Sequence, residues 1–288
     1  MDNCSENSEI LCPICCDRFP LKLKYPNSFI TWKCRNCSLI WVPNVKDEVI
    51  EKFYSNNYFK NPDGDLGYLN YVEDEYSLRM NFRLILSKLP PPGENNKLLD
   101  IGCAYGFFLD EARKMGWDTT GIEIYEEGIN YSAKILHLNV IQETIMQADF
   151  PDQSFDCVVI IGSIEHFQDP IAVIKKVSRI LKPGGGLIIT TINTKGLIRL
   201  FSIKPPEHLY YFSAYNLSLL LRLNNFEFIK CAPYWCYYQL NEALCRAYRL
   251  IFKSSKRIEQ FLEKIPFLNV HLRVPTNEML VISWKKKH

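Results

Sequence analysis

The stretch KLLDIGCAYGFFL, Lys97 to Leu109, decides the fold: an apolar strand ending in Asp100 runs into a glycine turn and then a helix beginning near Tyr105. Gly102 and Gly106 permit positive φ and a close approach of main chain to a ligand, while the free N–H groups of the helix N-terminus point to the same spot. The glycine spacing narrows the ligand. A dinucleotide fingerprint would place further glycines where Ala104 and Phe107 stand. The turn therefore fits a pyrophosphate poorly and suits a nucleotide-like ligand without phosphates. A second strand, Asp118 to Glu123 (DTTGIE), ends in an acid where an α/β fold sets a carboxylate against ribose hydroxyls.

Outward from this core, four pieces follow in order: Asp149 in QADFPDQSFDCVV, a strand ending in IIGSIEHFQDP, a helix, and LKPGGGLIITT. From Lys97 to about Phe226 the chain resembles the cofactor half of class I S-adenosylmethionine-dependent methyltransferases of the type 11/12-like group. The resemblance implies an α/β, Rossmann-like fold, with a seven-stranded mostly parallel sheet, its last strand antiparallel, and helices on both faces. It gives Asp100, Gly102, Ala104 and Gly106 to the methionine end of the cofactor, Glu123 to the ribose, and Asp149 with Phe150 to the adenine. Cys103, Ile124, Ile161 and Gly162 are further expected cofactor contacts.

Periodicity fills in the elements. Leu78, Phe82, Ile85, Leu86 and Leu89 recur at helical spacing up to Pro90-Pro91-Pro92-Gly93, a linker into the first strand of the main domain. Gly116 ends the next helix. Ile171, Ile174, Val177 and Leu181 give a later helix one apolar face. Lys182 to Gly186 reads as a turn, Leu187 to Ile192 as a buried strand, and Ser213 as the cap of a helix running to Leu223. Strands are expected at Phe226 to Ala232 and Met279 to Trp284, separated by an insertion at about 234–278. That insertion carries a helix from Gln239 to Lys264, apolar on one face and basic on the other. A substrate-covering or dimerising role is expected for it, with a membrane-surface role as the alternative because Tyr234, Trp235, Tyr237 and Tyr238 precede it.

The amino-terminal cysteines form a separate signal. Cys12-Pro13-Ile14-Cys15 and Cys34-Arg35-Asn36-Cys37 are two C-x-x-C knuckles eighteen residues apart, a zinc-ribbon spacing. Four thiolates complete tetrahedral zinc, so the metal would be structural. Leu21 to Trp32 reads as a hairpin and Ser38 to Val42 as a closing strand, in a module whose core is too small to stand without a staple. Cys4 and Cys16 are spare, and Cys16 could replace Cys15 in a slipped knuckle; a redox pair or plain buried thiols is the rival reading. CRNCSLIWVPN resembles the ribbon of bacterial methyltransferases acting on nucleotide sugars or cell-surface glycans. Ribosomal-RNA guanine methyltransferases also carry a ribbon, but their second pair typically includes a His that is absent here. The expected organisation is a ribbon over 1–44, a helical lead-in and candidate lid over 45–93, and the methyltransferase domain over 94–288. Val45 to Phe59 reads as helical, and Tyr54, Tyr58 and Tyr76 of this lead-in are either core contacts or residues closing over the cofactor.

Composition sets the outer limits. The chain has 288 residues, is 47% hydrophobic and carries a formal net charge of +2, so extended nucleic acid is disfavoured as substrate. Lys285-Lys286-Lys287 reads as a solvated end. Six of the eleven cysteines fall in the first forty residues, no signal-peptide core precedes them, and no run is apolar enough for a transmembrane helix, so a reducing, cytoplasmic location is expected.

Catalysis is expected at the carboxyl edge of the sheet. A sulfonium methyl is already activated, so alignment of the nucleophile and removal of a proton are what remain. Glu165 and His166 lie after strand four, and Glu207 and His208 in IKPPEHLYYFS after strand five. His208 is the first candidate for base or orienting group, with Glu165 and His166 beside it and Tyr210, Tyr211 and Phe212 as pocket residues. Glu165-His166 resembles the tail of the E-x-x-E-H metal motif of ubiquinone-pathway and small-RNA methyltransferases, but Gly162 stands where the leading acid would be, so no divalent ion is expected. The expected activity is methyl transfer to a small acceptor, a hydroxyl of a saccharide-like molecule such as a sugar or cell-surface glycan precursor. The alternatives are an RNA methyltransferase gripping RNA with its ribbon and a cofactor-binding scaffold without turnover.

Overall fold

A computed structural model describes residues 10–24, 29–43, 45–46, 48–49, 71–196, 204–240, 244 and 270–287 of the chain. Among the described residues there are two sheets. The larger is built from β4 (Lys97–Ile101), β5 (Asp118–Glu123), β6 (Val140–Gln142), β7 (Phe155–Ile161), β8 (Leu181–Ile192), β10 (Phe226–Gln239) and β11 (His271–Lys285), in the order β10-β11-β8-β7-β4-β5-β6. Pairing from β6 through β8 is parallel, and β11 runs antiparallel to both its neighbours. This is the Rossmann-like arrangement expected from the sequence. The helices are α1 (Glu75–Leu86), α2 (Phe107–Lys114), α3 (Glu126–Lys134), α4 (Pro170–Ile180) and α5 (Ala214–Leu223).

Strand periodicity splits the core into two layers. Leu99, Ile101, Val158, Ile160, Leu187 and Ile189 pack with Ile174 and Val177 of α4 and Leu217 and Leu221 of α5. Their neighbours Leu98, Val159 and Ile188 face the other way, onto Phe82 and Ile85 of α1 and Phe108 and Ala112 of α2. Both α4 and α5 start where their side chains dictate. Asp169 accepts from the Ala172 N–H ahead of Pro170, and Ser213 forms a reciprocal capping box with Asn216.

The smaller sheet joins the ribbon to the main domain. Its strands are β1 (Leu21–Lys24), β2 (Ile30–Lys33), β3 (Ile40–Trp41) and β9 (Tyr210–Tyr211), in that order. The first three form the expected hairpin and closing strand. The fourth comes from the loop after β8, so the ribbon is not closed on itself. Cys12, Ile14, Leu39 and Trp41 belong to the same apolar cluster as Leu209, Tyr210, Phe212 and Leu217.

Three elements differ from expectation. The turn over Lys182 to Gly186 is continuous with β8, yet pairing jumps from Phe155–Leu181 to Cys157–Gly186, so the glycines form a bulge in the strand edge. Residues 234–239 and 271–278, assigned to the insertion, are instead the paired far arms of β10 and β11. Tyr234 and Cys236 are buried while Trp235 between them is exposed, the period of two that marks a strand. The aromatic run is thus part of a paired strand that ends at Gln239. Third, the amine of Lys285 donates to the Leu181 carbonyl at 2.7 Å, so this end of the lysine tail is tied down. Most of the helix from Gln239 to Lys264, most of the lead-in over 45–59, and Tyr54 and Tyr58 lie outside the described residues. Tyr76 is exposed, with its ring 4.6 Å from that of His271. No helix among the described residues is long and apolar enough to cross a membrane.

Candidate functional site

β4 pairs with β5 on one side and β7 on the other, so the strand order reverses at its carboxyl end and opens the crevice where α/β sheets bind ligands. Ser163 closes the base of that crevice. Its hydroxyl donates to the Ile101 carbonyl at 2.9 Å and ties the end of β7 to the end of β4. Gly102 has φ +81°, and a Cβ on it would meet the Ser163 side chain at 3.0 Å, so the turn needs glycine here. Gly106, at φ +78°, starts α2, and a Cβ there would press to 2.7 Å on Leu138.

The two acids meet across this turn. Glu123 accepts from the Ala104 N–H at 2.7 Å with one oxygen, and from the N–H groups of Ile124 and Tyr125 at 2.7 and 3.0 Å with the other. Burial raises its pKa against the pull of those three donors. Asp100 is buried at the end of the β4 run, and its Oδ1 has no hydrogen-bond partner among the described residues. Burial, followed by the charge of Glu123, holds its carboxyl well above the usual range. An unpaired buried acceptor at a glycine turn fits an ammonium group such as the one on the methionine end of S-adenosylmethionine, and Glu123 at the end of β5 fits its ribose. Cys103 and Ala104 are buried in the turn itself. Asp149 is exposed, and the ring of its neighbour Phe150 packs edge-on against Phe155 at 5.1 Å. Lys176 fixes that segment by donating to the Met146 and Ala148 carbonyls. Ile161 ends β7, and the N–H of Gly162 just after it donates to the Thr190 hydroxyl at 3.0 Å.

The two acid–histidine pairs come together. A 3₁₀ turn, Ile164–His166, carries Glu165 and His166 off β7, and the loop before β9 brings Glu207 and His208 to them. The rings of His166 and His208 meet edge-on at 4.8 Å, and His208 Nε2 lies 3.9 Å from a Glu207 carboxyl oxygen. Glu165 is buried, accepts from the Thr191 hydroxyl at 2.8 Å, and is pushed up to about 8 by burial. Burial also lowers His166 to about 4, so this ring is neutral at neutral pH.

Ligand atoms of Glu165, His166 and His208 all lie within 4.8 Å of one another, a group that could hold a metal ion. The expectation of no divalent ion counted only the residues near Gly162. His208 supplies a third donor from a separate loop.

The four ribbon cysteines also converge within 4.8 Å, with Cys12 and Cys37 sulfurs 3.6 Å apart and those of Cys15 and Cys34 3.4 Å apart. Tetrahedral zinc with bonds near 2.3 Å needs sulfur–sulfur edges of about 3.8 Å, so the donor set fits. The Cys37 N–H donates to the Cys34 sulfur at 3.2 Å. The Cys37 thiol pulls Cys12 down to about 5, whereas burial pushes Cys34 up to about 12, a conflict that a cation among the sulfurs relieves. Cys16 is exposed and outside the group, so the slipped knuckle is not formed.

Sequence reading missed Ser163, Thr190, Thr191 and the pairing of β3 with β9. Two adjacent threonines in the otherwise apolar run LIITTI were the available signal, since buried hydroxyls need partners. Nothing local marked the β3–β9 contact.

Fold and crevice together define a class I S-adenosylmethionine-dependent methyltransferase. A family model described as a methyltransferase domain matches residues 71–230, more than half of the chain, and the protein belongs to that family. Among curated proteins, it is 29% identical over 175 residues to the ubiquinone biosynthesis O-methyltransferase of Methylococcus capsulatus, covering 58% of this chain and 70% of the relative. It is 31% identical over 121 residues to the Aliivibrio fischeri protein of the same name, covering 39% and 51%. The aligned segment thus spans between half and 70% of these two relatives. A crystal structure of a methyltransferase from Archaeoglobus fulgidus superposes with a TM-score of 0.53 at 21% identity, covering 75% of this chain and 99% of the other, a likeness of fold.

Proposed function

We propose that the enzyme methylates a hydroxyl oxygen of a small acceptor, with His208 as the base, and that one structural zinc occupies Cys12, Cys15, Cys34 and Cys37. The reading is carried by the meeting of Glu207-His208 with Glu165-His166 at the carboxyl edge of β7, beside the Asp100 turn. Bound S-adenosylmethionine supplies an activated methyl group. The protein's own task is to align the hydroxyl and take its proton, which is worth roughly 10² to 10⁴ in rate. His166, held near 4, is a poor base. His208 has the Glu207 carboxyl at 3.9 Å, placed to offset the charge its ring gains with the proton.

That the relatives are O-methyltransferases of ubiquinone biosynthesis supports oxygen as the methylated atom, and we take a phenolic hydroxyl as the acceptor to test. They give no support to the sugar or glycan hydroxyl expected from the ribbon. Gripping RNA is also disfavoured, because β3 of the ribbon pairs with β9 of the catalytic loop rather than presenting that edge outward. A zinc held by Cys12, Cys15, Cys34 and Cys37 needs those four cysteines reduced, which suits a reducing, cytoplasmic setting. The test is incubation with labelled-methyl S-adenosylmethionine and catechol, a sugar-nucleotide panel or bulk RNA. Label in an O-methyl catechol supports the reading; label only in sugar or RNA overturns it. Cofactor-product binding without any labelled product favours the scaffold.

One observation favours a second reading, in which a divalent ion on Glu165, His166 and His208 sits beside the hydroxyl. Stimulation of catechol methylation by Mg²⁺ after chelation supports it, and indifference to the ion supports the histidine acting alone.

A further inference from the structure

We propose that the cysteine ribbon is a positioning element for the catalytic loop: its metal holds β3, β3 holds β9, and β9 fixes the peptide that sets His208 against Glu165 and His166. This rests on the zinc and His208 readings above and adds a coupling between them.

The connection passes through one residue. The Leu209 N–H donates to the Glu165 carbonyl at 2.8 Å, and the Leu209 carbonyl accepts from the Val42 N–H at 2.8 Å. The peptide groups on either side of Leu209, next to His208, thus span the active-site turn and the ribbon. Beyond it, Tyr210 pairs with Trp41 and Tyr211 with Ile40. Behind β3 lie the metal ligands. The Cys34 N–H donates to the Leu39 carbonyl, and the Cys37 carbonyl accepts from Asn216 at the start of α5. The Tyr211 hydroxyl donates to the His208 carbonyl and accepts from the Lys204 N–H, so register at Tyr211 also sets the loop before the histidine.

Neither two-residue strand can hold the other by itself. Pairing of such length needs both members fixed from outside. On one side that support is the ribbon, a module with too little core to keep its shape without a staple, and metal binding there is folding free energy. The donor side of the crevice is built differently: Asp100, Ala104 and Glu123 are held by β4, β5 and α2. Loss of the metal should therefore release the loop around His208 and leave the donor site standing.

The experiment uses the full chain as purified with zinc, after chelation, and as Val42→Pro, which deletes the N–H bonded to Leu209 while keeping all four cysteines. Readouts are zinc content, S-adenosylhomocysteine affinity, amide exchange over 208–212, and kcat against KM with catechol. In the chelated protein and in Val42→Pro, exchange over 208–212 should accelerate at least about tenfold and kcat fall by a similar factor, with S-adenosylhomocysteine affinity unchanged within about twofold. Val42→Pro should keep its zinc. Normal protection over 208–212 in zinc-loaded Val42→Pro overturns the coupling, even if the chelated protein unfolds altogether. Purified protein that never holds zinc overturns the metal reading instead, and Val42→Pro then still reports on the strand contact by itself. Equal loss of S-adenosylhomocysteine binding and of protection in both samples would mean general destabilisation and also defeats the proposal.

Discussion

His166 Nδ1 lies 2.6 Å from the main-chain carbonyl of Glu207. A carbonyl only accepts, so this nitrogen carries the proton and the ring clamps the loop one residue before His208. On the function proposed above, His166 is a positioning residue and His208 the group that meets the acceptor. His208→Ala should lower kcat on catechol about 10²- to 10⁴-fold with S-adenosylhomocysteine binding preserved. His166→Phe should cost about tenfold, and His166→Gln, which keeps an N–H for the carbonyl, should recover part of it. Unchanged kcat in His208→Ala would remove the base assignment.

Asp100 should show opposite effects on stability and binding. Its buried carboxyl is raised well above the usual range because burial and Glu123 both disfavour the charge. Its stability penalty is absent below the unfolded pKa near 4 and grows as pH rises toward the folded value. Asp100→Asn removes that titration, so its urea midpoint at about pH 7 should rise above that of the parent, with the gain disappearing below about pH 4. S-adenosylhomocysteine affinity should fall about 10- to 100-fold, because the neutral amide loses a charge-assisted bond to the ligand's ammonium. Urea unfolding at several pH values reads the first effect and titration calorimetry with S-adenosylhomocysteine the second.

What was legible in the sequence follows from range. Asp100, Gly102, Gly106 and Glu123 were readable because a turn between a strand and a helix confines them to one place, and β5 was placed residue for residue at Asp118–Glu123. The cysteine quartet was readable because two short knuckles each fix their own geometry. The joining of Val42 to Leu209 was not, since it depends on a main-chain contact between distant segments and main chain looks alike everywhere. The length of β10 was underread for another reason. Tyr234 to Gln239 is aromatic-rich, and aromatic residues serve interfaces as readily as strands; only the pairing with His271 to Pro275 decides.

Asn81 gives a stability prediction of this long-range kind. Its side-chain amide accepts from the Tyr237 N–H at 2.6 Å and donates to the Tyr237 carbonyl at 3.1 Å, standing in for a neighbouring strand at the edge of β10. Asn81→Ala leaves both main-chain groups without that partner and should cost about 1–3 kcal/mol in urea unfolding. Asn81→Asp keeps an acceptor but no donor and should recover only part of the loss. A variant as stable as the parent would show that the amide contributes nothing there.

A charge network between α1 and α2 sets how stability responds to acid. Arg79 of α1 bonds Glu75, Asp110 and Glu111, and Lys114 joins the last two from the other side. Burial works against the charge on Glu111, but the donors Arg83, Arg79 and Lys114 outweigh it and hold the carboxyl down at about 2. A depressed carboxylate stabilises the fold above its unfolded pKa near 4.5, and the contribution is lost as pH falls from there through about 2. Arg83 and Lys114 are more than half exposed, so solvent screens part of the effect. The net contribution at neutral pH should be about 2 kcal/mol. Glu111→Gln should therefore unfold at lower urea than the parent at about pH 7, converge with it near pH 2, and show a shallower fall between. Parallel curves for the two proteins across that window would mean that Glu111 titrates alike in the folded and unfolded chain.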